Sequence, residues 1–112
     1  MGTDLDKLHR YKEGTYRWGK TFSSCHDVIQ SLLVSEEGAV CVYHRESDDA
    51  CISIIPSLKK VAEEYGITLK MMSKDTLVFD SYTIILHNSK RKLKLNLTEY
   101  IVVKDVTKVQ VG

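Results

Sequence analysis

The chain has 112 residues, which predicts one domain, and none of its apolar runs is long enough for a membrane-spanning helix. With 16 basic and 15 acidic residues the formal net charge is +1, so the overall charge does not by itself indicate a nucleic-acid or membrane-surface protein. The polar start of the chain is unlike a secretory signal, and the three cysteines lack a C-x-x-C pair. These features favour the cytoplasm, buried cysteines, and no membrane partner.

Residues 1–13 are polar and charged, and they predict an N-terminal arm ahead of a single domain at residues 14–112. Aromatic and basic side chains interleave along the arm and just after it. This pattern can stack bases and neutralise the phosphates of a single nucleic-acid strand. The same residue types anchor protein–protein interfaces, and the interface is the interpretation we favour. The candidate residues for either role are Arg10, Tyr11, Tyr16, Arg17 and Trp18.

Residues 14–21 read G-T-Y-R-W-G-K-T and match the phosphate-loop pattern G-x-x-x-x-G-K-[ST]. In such a loop Gly14 and Gly19 let backbone N–H groups face phosphate oxygens, Lys20 reaches the β- and γ-phosphates, and Thr21 ligates Mg²⁺. ATP or another nucleotide, weakly bound, is therefore a candidate cofactor. The alternative is a polar turn before a helix. The residues before the motif are not the buried β-branched strand that normally carries it, so we expect no phosphate cradle without ligand.

The rest of the first half predicts two helices around a strand. Apolar residues recur at helical spacing over 22–33, and the continuous apolar run at 39–43 predicts a strand buried on both faces. Ser47 is a candidate N-cap for a second helix that ends near Gly66. Within it, Pro56 predicts either a kink or the start of the helix.

The second half of the chain is rich in strand patterns. Met71 and Met72 are expected to fill gaps in the core. The predicted strands are 67–71, 76–79, 82–86, 93–97 and 100–103, with a hairpin turn at residues 80–81.

The order of these elements predicts an α/β fold: a small three-layer-like or α/β sheet with two main helices and a β-rich C-terminal half. The runs at 39–43 and 100–103 lack alternation. They are therefore expected to be neighbours in the middle of the sheet.

A compact basic turn follows the predicted hairpin and is a second candidate for contacting phosphates. The alternative interpretation is a solvated hairpin tip. No cluster has metal-ligand spacing, and no residue set indicates a catalytic centre. The basic turn consists of Lys90, Arg91, Lys92 and Lys94.

In this order the elements resemble the first half of a P-loop NTPase core, particularly the large-terminase and superfamily 2 helicase type. In that family a G-K-T loop opens a helix, as Gly19-Lys20-Thr21 does here, and a buried strand ends with an arginine, as at 40–45. A hairpin then leads to a strand with the Walker B acids, which residues 100–107 resemble. Lys104 stands where the first of these acids belongs, and Asp105 follows it.

The resemblance implies a small, viral or mobile-element protein without NTPase turnover, which acts in the host cytoplasm by binding a protein partner as a regulator or inhibitor. Two alternatives stay open. One is a nucleic-acid-binding module that uses the aromatic-basic arm and the basic turn. The other is a nucleotide-binding mini-ATPase.

We predict no turnover of ATP or GTP above background. Hydrolysis needs Mg²⁺ held by a Walker B acid, and a lysine at that position repels both Mg²⁺ and the Lys20 ammonium group. Steady phosphate release from the purified protein, abolished by Lys20→Ala, would contradict the prediction.

Overall fold

In the part of the chain that the structure describes, six strands form one mixed sheet, and three helices pack against one of its faces. This computed structural model describes residues 16–18, 21–95 and 99–105, with the side chains of all of these except 16–18, 21, 22 and 105. The strands are β1 (Tyr16–Trp18), β2 (Val40–Arg45), β3 (Lys70–Ser73), β4 (Thr76–Phe79), β5 (Tyr82–Asn88) and β6 (Ile101–Asp105). The helices are α1 (Thr21–Leu33), α2 (Asp48–Ser53) and α3 (Ile55–Glu64).

The strand order in the sheet is β1-β6-β2-β5-β4-β3. The first four strands in this order are parallel to one another, whereas β4 is antiparallel to both β5 and β3. β2 and β6 are adjacent and interior, which confirms the prediction for the runs at 39–43 and 100–103. Val42 and Val102 are buried on one face of the sheet, and Tyr43 and Val103 on the other. Burial on both faces is the reason that neither strand alternates apolar and polar residues.

The core lies between the helices and the sheet. α1 packs against α3, β2 and β6, and the helical periodicity over 22–33 correctly predicts the buried face of α1. The predicted α/β class, with its β-rich C-terminal half, is confirmed. No disulfide joins the three cysteines, which are all buried as expected. The fully buried core side chains of α1 are Cys25, Val28, Ile29 and Leu32, and they meet Leu58, Val61 and Ala62 of α3.

Two short helices replace the second predicted helix. Ser47 caps α2, because its Oγ accepts a hydrogen bond from the Ala50 N–H at 3.1 Å. The helix is interrupted at Ile54, and Pro56 lies in the first turn of α3. A proline is tolerated there because first-turn N–H groups have no partner within the helix. The predicted break is thus confirmed, with α3 beginning one residue before the proline.

The prediction that Met71 and Met72 fill the core is wrong. Both lie in β3 at one end of the sheet order, and their side chains are 40% and 68% exposed. The alternation that precedes them places Leu69 in the core and packs the partly buried Ile67 against it. An end strand has one open side, so a run of apolar residues there does not imply burial.

The prediction of a strand at 93–97 is wrong for its described part, because residues 93–95 have no regular structure. β5 and β6 lie on opposite sides of β2. The connection between them must therefore cross β2. The strands that it joins, β5 and β6, already have a neighbour on each side and offer no free edge for pairing. Leucine–lysine alternation sets a strand period but does not supply a partner strand.

No helix in the described ranges combines the length and apolarity that crossing a lipid bilayer requires.

We predict that Ser47→Ala lowers the free energy of unfolding by about 1 kcal/mol, because it leaves the Ala50 N–H without its cap. Ser53→Ala is the matched control: this exposed hydroxyl donates to the Ala50 carbonyl later in the same helix. Urea unfolding followed by circular dichroism measures both variants. Equal losses for the two would show that the cap does not stabilise α2.

Candidate functional site

All four parallel strands end at the same edge of the sheet, here called the carboxyl edge. Their last residues are Trp18 of β1, Arg45 of β2, Asn88 of β5 and Asp105 of β6. Ligands of open α/β sheets bind outside the carboxyl ends of the strands, where the chain direction of the connections changes. Here β5 lies on one side of β2, and β6, which is later in the chain, lies on its other side, between β2 and β1. The carboxyl edge is therefore the candidate functional site of this fold.

On the helix side of the carboxyl edge, Asp48 at the start of α2 bonds the last residue of β5 and the turn that follows it. Its carboxylate accepts a hydrogen bond from Asn88 Nδ2 at 3.2 Å and from Arg91 Nη2 at 2.6 Å. The hydrogen bond from Asn88, together with the nearby Arg91 guanidinium, lowers the pKa of the Asp48 carboxyl. The ion pair is exposed, so it orients the loop more than it stabilises the fold.

The basic turn is built on backbone hydrogen bonds at the ends of β2 and β5. The Ser89 N–H donates to the Arg45 carbonyl at 2.7 Å, which extends the β2–β5 pairing by one step. Asn88 then shapes the turn: its side-chain oxygen accepts from the Lys90 N–H and its carbonyl accepts from the Arg91 N–H, each at 2.9 Å. The side chains of all four basic residues of the turn are exposed.

Arg45 is nearly buried where β2 ends. Its side chain is on the helix side, and its guanidinium carbon lies 5.7 Å from the centre of the Tyr43 ring. At this distance the ring face attracts the cation.

On the opposite face of the sheet three basic side chains form one row across three strands. His44 of β2 is in register with His87 of β5 and with Lys104 of β6. The two imidazole rings meet edge to face, with their centres 4.9 Å apart. His44 is buried, while His87 and Lys104 are half-buried. We call these three residues the histidine row.

Burial is the main reason that the pKa of His44 falls from 6.5 to about 4, and the charges of His87 and Lys104 lower it further. In the protein without ligand His44 is therefore neutral at physiological pH.

The histidine row and the basic turn are in direct contact. His87 Nε2 lies 2.9 Å from the Arg91 carbonyl. A carbonyl only accepts, so this nitrogen carries the proton and donates. The carboxyl edge thus carries basic groups on both faces of the sheet. Arg91 contacts both sides, because its carbonyl bonds His87 and its guanidinium bonds Asp48.

The structure brings together only some of the residues that the sequence singles out. Arg10, Tyr11, Gly14, Gly19 and Lys20 lie outside the described residues. For Tyr16, Arg17 and Trp18 it gives the backbone, which forms β1, and Thr21 is the first residue of α1. Trp18 is in register with Lys104, so β1 ends in the same row as the histidines. Lys90 and Arg91 lie at the same edge, and Lys92 and Lys94 follow them in the connection to β6. They do not form a hairpin tip, because the strands on either side, β5 and β6, are both parallel to β2.

The phosphate-loop motif is divided between a strand and a helix. Its variable residues Tyr16, Arg17 and Trp18 pair with β6, at one end of the sheet, and only two residues separate β1 from α1. In a phosphate loop the variable residues instead wrap their N–H groups around the phosphate. Whether residues 14–21 bind nucleotide stays a prediction.

The histidine row is not among the residues singled out from the sequence, although two signals point to it. His44-Arg45 and His87-Asn88 each end an apolar strand run with an imidazole and a second polar residue. Parallel strands ending in this way place such residues at one edge. The thiol–imidazole pair that Cys25 and His44 can form in principle is not made. Cys25 packs with the helix-side core and lies 3.9 Å from the Tyr43 hydroxyl, whereas His44 is on the other face.

In the described part of the chain, no three His, Cys, Asp or Glu side chains are placed to hold a metal ion. Comparison with protein-family models, curated proteins and solved structures gave no match. The resemblance to a P-loop NTPase therefore rests on the sequence motif and on element order.

We predict that acid destabilises the fold through His44. The unfolded state binds the proton near pH 6.5 and the folded state only near pH 4, so between these values the unfolded state holds more protons. The free energy of unfolding should fall by up to about 3 kcal/mol between pH 7 and pH 4 in a phosphate-free buffer. Urea unfolding across this range measures it.

The variant His44→Gln should lose most of this decline, and the control His26→Gln should keep it. His26 lies on α1, where its Nδ1 is 2.9 Å from the Tyr65 hydroxyl, away from the histidine row. Identical pH profiles for the wild type and His44→Gln would contradict the prediction.

Proposed function

We propose that the chain binds single-stranded nucleic acid along its carboxyl edge, without nucleotide turnover. The observation that carries the proposal is topological. β1, which contains Tyr16 to Trp18, and the basic turn at 90–94 are far apart in sequence, but β1 ends and the basic turn begins at the same edge of the parallel sheet. With neighbouring strands about 4.8 Å apart, β1 and β5 are separated by about 14 Å. A few nucleotides of a single nucleic-acid strand are long enough to contact both β1 and the start of the basic turn.

The charge distribution supports a polyanionic ligand. The overall charge is close to zero, yet no acidic residue lies between Asp80 and Glu99, a stretch that contains the four basic residues of the turn. Arg45 ends β2 and Lys104 is the last residue but one of β6, so two more cations lie near this edge, together with the acids Glu46, Asp48, Asp49 and Asp105. Local concentration of positive charge, rather than net charge, attracts phosphates and releases their counterions.

The Asp48 contacts support a preformed binding loop. The Asp48 carboxylate accepts hydrogen bonds from both Asn88 and Arg91, and Asn88 accepts further hydrogen bonds from the backbone of the turn. Lys90, Lys92 and Lys94 remain exposed around this support. A loop that is ordered before binding loses less conformational entropy when it binds.

Binding of a protein partner is the second candidate function, and β3 favours it. This end strand is exposed along its whole length and carries Met71 and Met72, whose flexible side chains suit an adaptable interface. A partner can add a strand to such an edge. If this is the function, Met72→Lys should abolish capture of a partner from the native host while leaving oligonucleotide binding unchanged.

We predict that the affinity for a single-stranded oligonucleotide falls steeply with salt, and that the double variant Lys92→Ala, Lys94→Ala weakens it about tenfold at low salt. The slope of log K against log salt should fall by about one to two, because two phosphate contacts are lost. Fluorescence anisotropy with a labelled oligonucleotide measures both quantities.

The matched control is Lys60→Ala, Lys70→Ala, which removes the same charge from exposed positions of α3 and β3. It should change affinity by less than about twofold. Equal losses for the two double variants, or wild-type affinity that does not depend on salt, would contradict the proposed function.

A further inference from the structure

We propose that the histidine row binds a phosphate monoester, the dianionic group found at the 5′ end of a phosphorylated strand and on a free nucleotide. For the strand end this inference rests on the proposed function, in which the basic turn holds the phosphodiesters. The row itself is a separate arrangement on the other face of the sheet, formed by His44, His87 and Lys104.

The spacing of the row fits one small anion. His44 is on the middle strand, and its partners in register are on the two adjacent strands, about 4.8 Å to either side. Three neighbouring donors can each give a charge-assisted hydrogen bond of about 2.8 Å to a different oxygen. A monoester presents three such oxygens and carries up to two negative charges. An internal phosphodiester has two non-bridging oxygens and one charge, so it matches the row less well.

His87 already makes one defined hydrogen bond at the end of the row. Its Nε2 already donates to the Arg91 carbonyl, which leaves Nδ1 as the acceptor in the neutral ring. The same hydrogen bond joins the row to the backbone of the basic turn. A nucleic-acid strand bound by the turn can therefore place its 5′ end close to the row.

The charges around His44 make binding depend on pH. Among the described residues, His87 and Lys104 face it from β5 and β6, and both disfavour its protonated form. Arg45 and Asp48 lie at the helix side of the same edge. A dianion bound beside the three basic groups favours the protonated form of His44 and so raises its pKa. Binding should therefore be accompanied by proton uptake at His44. Affinity for a monoester should therefore rise as the pH falls from 8 towards 6.5.

The test compares two oligonucleotides of one sequence, with and without a 5′-phosphate, by fluorescence anisotropy at pH 6.5 and pH 8.0 and constant salt. We expect the 5′-phosphate to strengthen binding about tenfold at pH 6.5 and about twofold or less at pH 8.0. His87→Gln and Lys104→Met should each bring the ratio close to one, and the control His26→Gln should keep it. Circular dichroism checks that each variant is folded.

A second measurement needs no variant. Titration of the wild type with inorganic phosphate, and separately with a mononucleotide, should move the ring resonances of His44 and His87 in NMR spectra and leave those of His26 unchanged. A shift with the mononucleotide but no discrimination between the oligonucleotides would assign the row to free nucleotides rather than to strand ends.

The outcomes separate this inference from the proposed function. Salt-dependent binding of both oligonucleotides with equal affinity, and no NMR shift with either small phosphate, would overturn the histidine-row site and leave the proposed function standing. No binding of either oligonucleotide, with a clear shift of His44 and His87, would support the site and overturn the proposed function.

Discussion

The pairing of β2 with a parallel strand on each side determines where the rest of the molecule lies. All six residues of β2 are in register with β5, and five of them are also in register with β6. This double pairing covers both edges of the strand and places His44 between two other basic side chains. It also puts β5 and β6 on opposite sides, so the chain between them has to cross the end of β2. The Ser89 N–H bonded to the Arg45 carbonyl is the start of that crossing.

Local chemistry explains which parts of the fold could be predicted from the sequence. The continuous apolar runs mark β2 and β6, Ser47 marks the start of α2, and Pro56 marks the break before α3, because each depends on near neighbours in the chain. The exposure of Met72 and the lack of a strand at 93–95 depend on what lies beside them. An end strand and a crossing connection have the same residue pattern as an interior strand, and tertiary contacts decide between them.

The candidate site divides in the same way. The basic turn is visible in the sequence because its four basic residues lie within five positions. The histidine row is not, since His44, His87 and Lys104 belong to three strands that are widely separated in the chain and meet only through register. The motif at 14–21 is a different case: four matching residue types indicate a phosphate loop, but the motif does not specify that Tyr16, Arg17 and Trp18 pair as a strand. A motif confers its function only in the right backbone context.

The burial of the cysteines has a practical consequence for following the opening of this fold. Cys25 and Cys41 are fully buried and Cys51 nearly so, and burial raises the pKa of the Cys41 and Cys51 thiols. Only the thiolate reacts with alkylating reagents, so the native state is protected both by low access and by low ionisation. Because Cys25 lies on α1, Cys41 on β2 and Cys51 on α2, the alkylation rate at each thiol reports how often its own element separates from the core. The chain therefore carries three native labels for local unfolding, one in each layer and one beside the carboxyl edge.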